Sequence, residues 1–215
     1  MSTSANENPS QSTDTHNFQA EVTRLLDIVA RSLYSDKEIF LRELVSNASD
    51  ACDKLRYEAL TDPSLSEGEG DLGITITSDT KSRTLTISDN GIGMSDEELI
   101  ENLGTIARSG TAAFVENIDK AEGAENNLIG QFGVGFYSAF MVADTVTVTS
   151  RRAGTNKCNI WKSDGKGSFT VTPSDADHPR GTKVVLHILK NEKEFLEPER
   201  IKQIIKTYSD HIALP

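Results

Sequence analysis

The string Glu43-Leu44-Val45-Ser46-Asn47-Ala48-Ser49-Asp50-Ala51 sits inside a segment, 36–60, whose apolar spacing predicts one long helix. With successive side chains turned by about 100°, Glu43, Asn47, Asp50 and Lys54 share a polar stripe. Leu41, Leu44, Val45, Ala48, Cys52, Leu55 and Ala59 form the opposite, apolar side. Ser35 followed by Glu38 predicts a capping-box start. The stripe reads in two ways. It is a solvated helix face or, because Leu44 and Ala51 close in on its flanks, a half-sheltered carboxylate and amide able to orient a water and ligate a metal.

The neighbouring segments supply the layer that the apolar side needs. Helical spacing over 18–33 predicts a first helix, and Thr61-Asp62-Pro63 ends the central one. Alternation at Ile74/Ile76 and Leu85/Ile87 predicts a β-hairpin. Its second strand runs into Asp89-Asn90-Gly91-Ile92-Gly93-Met94, then a second capping box, Ser95 with Glu98, opens a short helix through 103. Loop, short helix and polar linker fill 104–127, and the glycine segment 130–136 leads into an apolar helix over 137–142. Four further strands are marked by Val146/Val148, Ile160, Phe169/Val171 and 184–188, with a last helix over 198–210. Hairpin-ordered strands with grouped helices predict an α+β, two-layer sandwich. Its mostly antiparallel, mixed sheet of about eight strands is expected to be covered on one face by helices.

Residues 1–16 are polar and expected to be disordered, leaving 17–215 as the folded domain. That tail has neither an apolar core nor a basic residue, so it is neither a signal nor a transit peptide, and a cytoplasmic home is expected. No apolar run is long enough to span a membrane. A net charge of -11, from 33 acidic against 22 basic residues, repels phosphate backbones and argues against nucleic acid as a partner. Cys52 and Cys158 lie far apart and read as buried structural thiols. The four histidines show no ligand spacing, so no transition metal is assigned.

Two glycine loops remain. A helix opening after Gly133-Val134-Gly135 aims free N–H groups at an anion, although glycines at a turn are often structural only. Asp89, an acceptor, suits an exocyclic amino group such as that of adenine. Neither the Gly-x-x-x-x-Gly-Lys-Ser/Thr spacing nor a dinucleotide fingerprint is present, so another device must hold phosphate.

Taken together, Glu43-x-x-x-Asn47, Asp89-x-Gly91-x-Gly93, Gly133-x-Gly135 and Thr182 resemble the ATP-binding (Bergerat-fold) superfamily shared by gyrase, histidine kinases, MutL and heat-shock protein 90. Within it, 34–51, 89–94, 103–110 and 130–143 resemble the heat-shock protein 90 chaperones, especially the bacterial HtpG type. The resemblance implies that Glu43 activates the attacking water, Asn47 ligates Mg²⁺, and Asp89 binds the adenine amino group with support from Thr182. It implies that Met94, Leu103 and Ala51 wall the base, that Asn102 and Lys54 reach ribose or phosphate, and that Gly133, Val134, Gly135 and Phe136 cradle the phosphates. Asp50, Gly93, Arg108, Ser109 and Gly110 complete the implied ATP contacts, with 104–135 as a closing lid. Some relatives carry Lys where this chain has Arg108, so a phosphate contact there and a solvated cation stay open.

The implied function is that of the N-terminal ATPase domain of a chaperone. It takes ATP or ADP with Mg²⁺, turns over slowly as a fragment, acts on client proteins, and works in a homodimer whose middle and C-terminal domains follow. A histidine-kinase phosphotransferase, a gyrase- or MutL-like DNA machine and a binding-only module are the competing readings. The segment 18–33 lacks a phospho-accepting His, the acidic charge disfavours DNA, and Glu43 disfavours loss of hydrolysis.

Overall fold

The computed structural model describes residues 14–17, 37–66, 70–104, 135–175, 177–209, 212 and 214–215. Seven strands form one sheet: β1 Asp14–Asn17, β2 Ile74–Asp79, β3 Thr84–Asp89, β4 Ala143–Arg151, β5 Cys158–Ser163, β6 Ser168–Ser174 and β7 Gly181–Ile188. Their spatial order is β1-β6-β5-β4-β7-β3-β2, and every described neighbour pair is antiparallel. The helices are α1 Ile39–Ala59, α2 Asp96–Gly104 and α3 Pro198–Tyr208, with a 3₁₀ helix at Gly135–Met141.

Period-two alternation decides which face is covered. On the three central strands, Leu85, Leu186 and Val146 stand in register, as do Ile87, Val184 and Val148 one step along. Most of these are buried, while Thr86, Val185 and Thr147 in the row between them are half-buried. Phe40, Leu41, Leu44 and Val45 of α1 join the same core as Leu99 and Leu103 of α2, Ile201 and Ile204 of α3, and the 3₁₀ residues Phe136, Tyr137 and Ala139. Phe136 meets Trp161 edge-on at 5.5 Å, and Trp161 stacks on Phe169 at 5.7 Å. Leu41 is fully buried, so Leu41→Ala should cost about 2–5 kcal/mol through lost transfer energy and a cavity.

The fold agrees with the α+β sandwich expected, with differences of detail. The sheet has seven strands rather than about eight and no parallel pair among the described residues. Helix α1 begins at Ile39 rather than near 36, and Glu38 at its N-cap makes no side-chain cap; the expected partner Ser35 lies outside the described residues. The helix expected over 137–142 is a 3₁₀ helix that starts at Gly135, and α3 stops at Tyr208 instead of 210. Strand β1 overlaps the end of the segment 1–16 expected to lack structure. The expected helix over 18–33 and the lid, apart from its end residues Gly104 and Gly135, lie outside the described residues. Both cysteines are buried and free, and burial pushes the Cys52 thiol up to about 11.

Candidate functional site: a pocket between helix α1 and the sheet

Strand register builds the floor. Asp89, Thr182 and Ser150 stand side by side across β3, β7 and β4, directly above the apolar row Ile87, Val184 and Val148. The Ser150 and Thr182 hydroxyls are 2.9 Å apart, and either can donate. Asp89 Oδ1 accepts the Gly91 N–H at 2.9 Å, and the Thr182 N–H also bonds this carboxylate. Burial nevertheless raises the Asp89 carboxyl to about 6, because the backbone N–H donors only partly replace lost hydration. A desolvated acceptor of this kind is matched by a ligand that brings its own N–H donor.

The loop after β3 is stitched to both layers. The Ile92 N–H donates to the Ala51 carbonyl of α1 at 3.0 Å, and the Ala153 N–H donates to the Ile92 carbonyl at 2.8 Å. Gly93 takes φ +66°, and a Cβ there would collide with the Arg151 carbonyl, so no other residue fits. The Met94 N–H then donates to Ser150 Oγ at 2.9 Å, which ties the loop to the floor. Helix α2 starts from the expected capping box: the Ser95 N–H donates to Glu98 Oε2 at 2.9 Å, and the Glu98 N–H donates to Ser95 Oγ at 3.2 Å. Asn102 and Leu103 are thereby set on the pocket wall.

Helix α1 supplies the opposite wall. Glu43 is 8% exposed and receives the guanidinium of Arg42 on Oε1 at 2.9 Å. Its other oxygen faces Gly135, where a Cβ would run into Oε2. Asn47, Asp50 and Lys54 continue up the helix toward solvent at the pocket mouth. The stripe is thus buried at one end and wet at the other.

These walls enclose a cavity of ≈ 330 Å³. Among the residues expected at the site, Glu43, Asn47, Asp50, Ala51, Lys54, Asp89, Gly93, Met94, Asn102, Leu103, Gly135, Phe136 and Thr182 all line it. Arg108, Ser109, Gly110, Gly133 and Val134 lie outside the described residues. Sequence reasoning missed Glu98 on the lining and Ser150 beneath it. The alternation that places Val148 inward also places Ser150 inward, and that signal was available. The described lining carries Glu43, Asp50, Asp89 and Glu98 against one cation, Lys54. No cluster of three or more acidic, His or Cys side chains suited to a metal occurs among the described residues. Asn47 offers a neutral side-chain oxygen on this lining, a ligand type that Mg²⁺ takes alongside the oxygens of a bound ligand.

Residues 34–176 match the family described as histidine kinase-, DNA gyrase B-, and HSP90-like ATPase. The chain is similar to the chaperone protein HtpG of Roseobacter denitrificans, 58% identical over 202 residues that cover 94% of this chain and 32% of the relative. Its similarity to the protein of the same name from Rhodospirillum rubrum is 59% over 207 residues, covering 95% and 33%. For the Rickettsia massiliae protein it is 57% over 198 residues, covering 92% and 32%. The chain spans about a third of the length of these relatives.

Proposed function

The chain belongs to the family of histidine kinase-, DNA gyrase B- and HSP90-like ATPases, and from that premise we propose that it is the nucleotide-binding domain of an ATP-dependent chaperone. The observation that carries this reading is the pairing, within one cavity, of a desolvated acceptor on the floor and a buried carboxylate on the α1 wall. Asp89 is the acceptor and Glu43 the carboxylate.

In this reading Asp89 accepts the amino group of adenine, with Thr182 beside it, while Met94, Leu103 and Ala51 wall the base. The ribose and phosphates lie along the α1 stripe, with Asn102 and Lys54 reaching them from one end and the backbone at Gly135 and Phe136 from the other. Glu43 Oε2, the oxygen not held by Arg42, takes the proton of the attacking water. Asn47 supplies the protein's oxygen to Mg²⁺ and ligand phosphates supply others. Bound Mg²⁺ neutralises charge that develops on the phosphates. Arg108, Ser109, Gly110, Gly133 and Val134 complete the phosphate contacts as a lid over 104–135 closes.

The wider setting belongs to the same proposal: client proteins as substrates, a homodimer with middle and C-terminal domains, a cytoplasmic home, and hydrolysis faster in the whole protein than in this portion. No described helix is long and apolar enough to cross a membrane. Calorimetric titration with ATP, ADP and GTP, with and without Mg²⁺, tests the reading. ATP and ADP should bind at least about tenfold more tightly than GTP, whose acceptor oxygen would face the Asp89 carboxylate. Equal affinities for ATP and GTP would refute it.

A further inference from the structure

At the pocket mouth two basic and two acidic side chains meet from three elements. Arg152, immediately after β4, gives Nη2 to Glu58 Oε2 of α1 at 2.9 Å and Nη1 to Glu98 Oε1 of α2 at 3.2 Å. Lys54 Nζ stands 4.0 Å from Oε1 of each of the same two carboxylates. The arginine side chain is 23% exposed and the lysine 54%. The short, forked and better sheltered contacts therefore belong to arginine, as its planar geometry favours, and the lysine is held loosely.

Glu98 divides its work between two oxygens. Oε2 caps α2 through the Ser95 N–H, while Oε1 faces both cations. With Glu43, Asp50 and Asp89 also on the described lining, an uncompensated Glu98 would add to a field that already opposes any anion. Without Arg152, Glu58 and Glu98 would close on Lys54 and consume its charge.

We propose that Arg152 is a positioning residue that occupies Glu58 and Glu98 and so leaves the Lys54 ammonium available to the polyphosphate of a nucleotide. The inference rests on reading the pocket as a nucleotide site. Its consequence is selective: ligands bearing phosphate charge depend on the cluster, and the neutral nucleoside does not.

The test is calorimetric binding of ADP and of adenosine to this protein and to the variants Arg152→Gln, Arg152→Lys and Glu98→Gln, at low and at high ionic strength. Arg152→Gln should weaken ADP by about three- to tenfold at low salt and leave adenosine within about twofold, with the ADP loss shrinking as salt screens the mouth. Arg152→Lys should recover part of that loss. Glu98→Gln keeps the cap, since Gln serves at that position, and should strengthen ADP binding instead. Equal losses for ADP and adenosine, or ADP affinity unchanged in both Arg152→Gln and Glu98→Gln, would overturn the inference while leaving the nucleotide site standing. Failure of the unsubstituted protein to bind ADP would overturn the nucleotide reading itself, and this inference with it.

Discussion

Arg42 grips one carboxylate oxygen of its chain neighbour Glu43, with Nη2 at 2.9 Å and Nε at 3.2 Å from Oε1. Both groups donate to the same oxygen, so the carboxylate cannot rotate without breaking two charge-assisted hydrogen bonds. The other oxygen, Oε2, is thereby held in a fixed direction beside Gly135.

That arrangement separates chemistry from binding. Glu43→Ala should leave ADP affinity within a few-fold and lower single-turnover ATP hydrolysis by about 10²- to 10⁴-fold. Arg42→Ala, which frees the carboxylate without removing it, should cost about tenfold in the same assay. Loss of ADP binding in Glu43→Ala would show that the residue holds the pocket's shape and not the water.

Gly135→Ala places a methyl group against Glu43 Oε2. The carboxylate must turn or the 3₁₀ helix must shift, at a cost of about 1–3 kcal/mol in stability. Hydrolysis should fall alongside the denaturation midpoint, and a fully active Gly135→Ala protein would show that this approach is not needed for turnover.

Asp89 gives a pH signature. Burial raises its carboxyl from the ordinary 3.8 to about 6, so between those values the folded protein holds more protons than the unfolded one. The associated stability is fully present below the unfolded value and is lost as pH rises through about 6, an effect of about 3 kcal/mol. Asp89→Asn keeps an acceptor for the Gly91 N–H and removes the buried charge. Its chemical denaturation curve should be flatter between pH 4 and 6.5, with a gain of about 1–3 kcal/mol at pH 7. The same variant should lose the stabilisation that ADP confers on the parent. Identical pH profiles for parent and variant would remove Asp89 as the source.

The cap on α2 is the fourth test. Ser95→Ala removes the acceptor for the Glu98 N–H and should cost about 1 kcal/mol. Because Asn102 and Leu103 ride on the same nine-residue helix, ADP affinity should weaken by a few-fold, and amide exchange in α2 should speed up more than in α3.

Much of this site can be read from residues alone, for identifiable reasons. Glu43, Asn47, Asp50 and Lys54 declare themselves by helical spacing, Gly93 by its place in the Asp89-x-Gly91-x-Gly93 pattern, and Ser95 with Glu98 by cap spacing. The central strands are equally plain, since Leu85, Ile87, Val146 and Val148 alternate cleanly. Arg42 was silent because adjacent residues on a helix point about 100° apart, and only a side chain that folds back can join them. Arg152 was silent for a different reason: its partners Glu58 and Glu98 lie 94 and 54 residues away, and no local pattern encodes that meeting. Strand β1 is polar and pairs at the sheet's edge, so its sequence carries no burial signal.

The row Asp89, Thr182 and Ser150 also guards against error. If β7 paired with β3 two residues out of place, apolar side chains would still face inward, with Val184 beside Asp89 and Leu186 beside Ile87. The core alone would tolerate the mistake. The Asp89 carboxylate would not, because its polar neighbour Thr182 would be replaced by a valine and the carboxylate would stand desolvated against an apolar side chain. The residues that make the sheet fit to hold a ligand are thus the ones that let it distinguish correct assembly from a near miss, and a chain that misreads its own register is penalised before any ligand arrives.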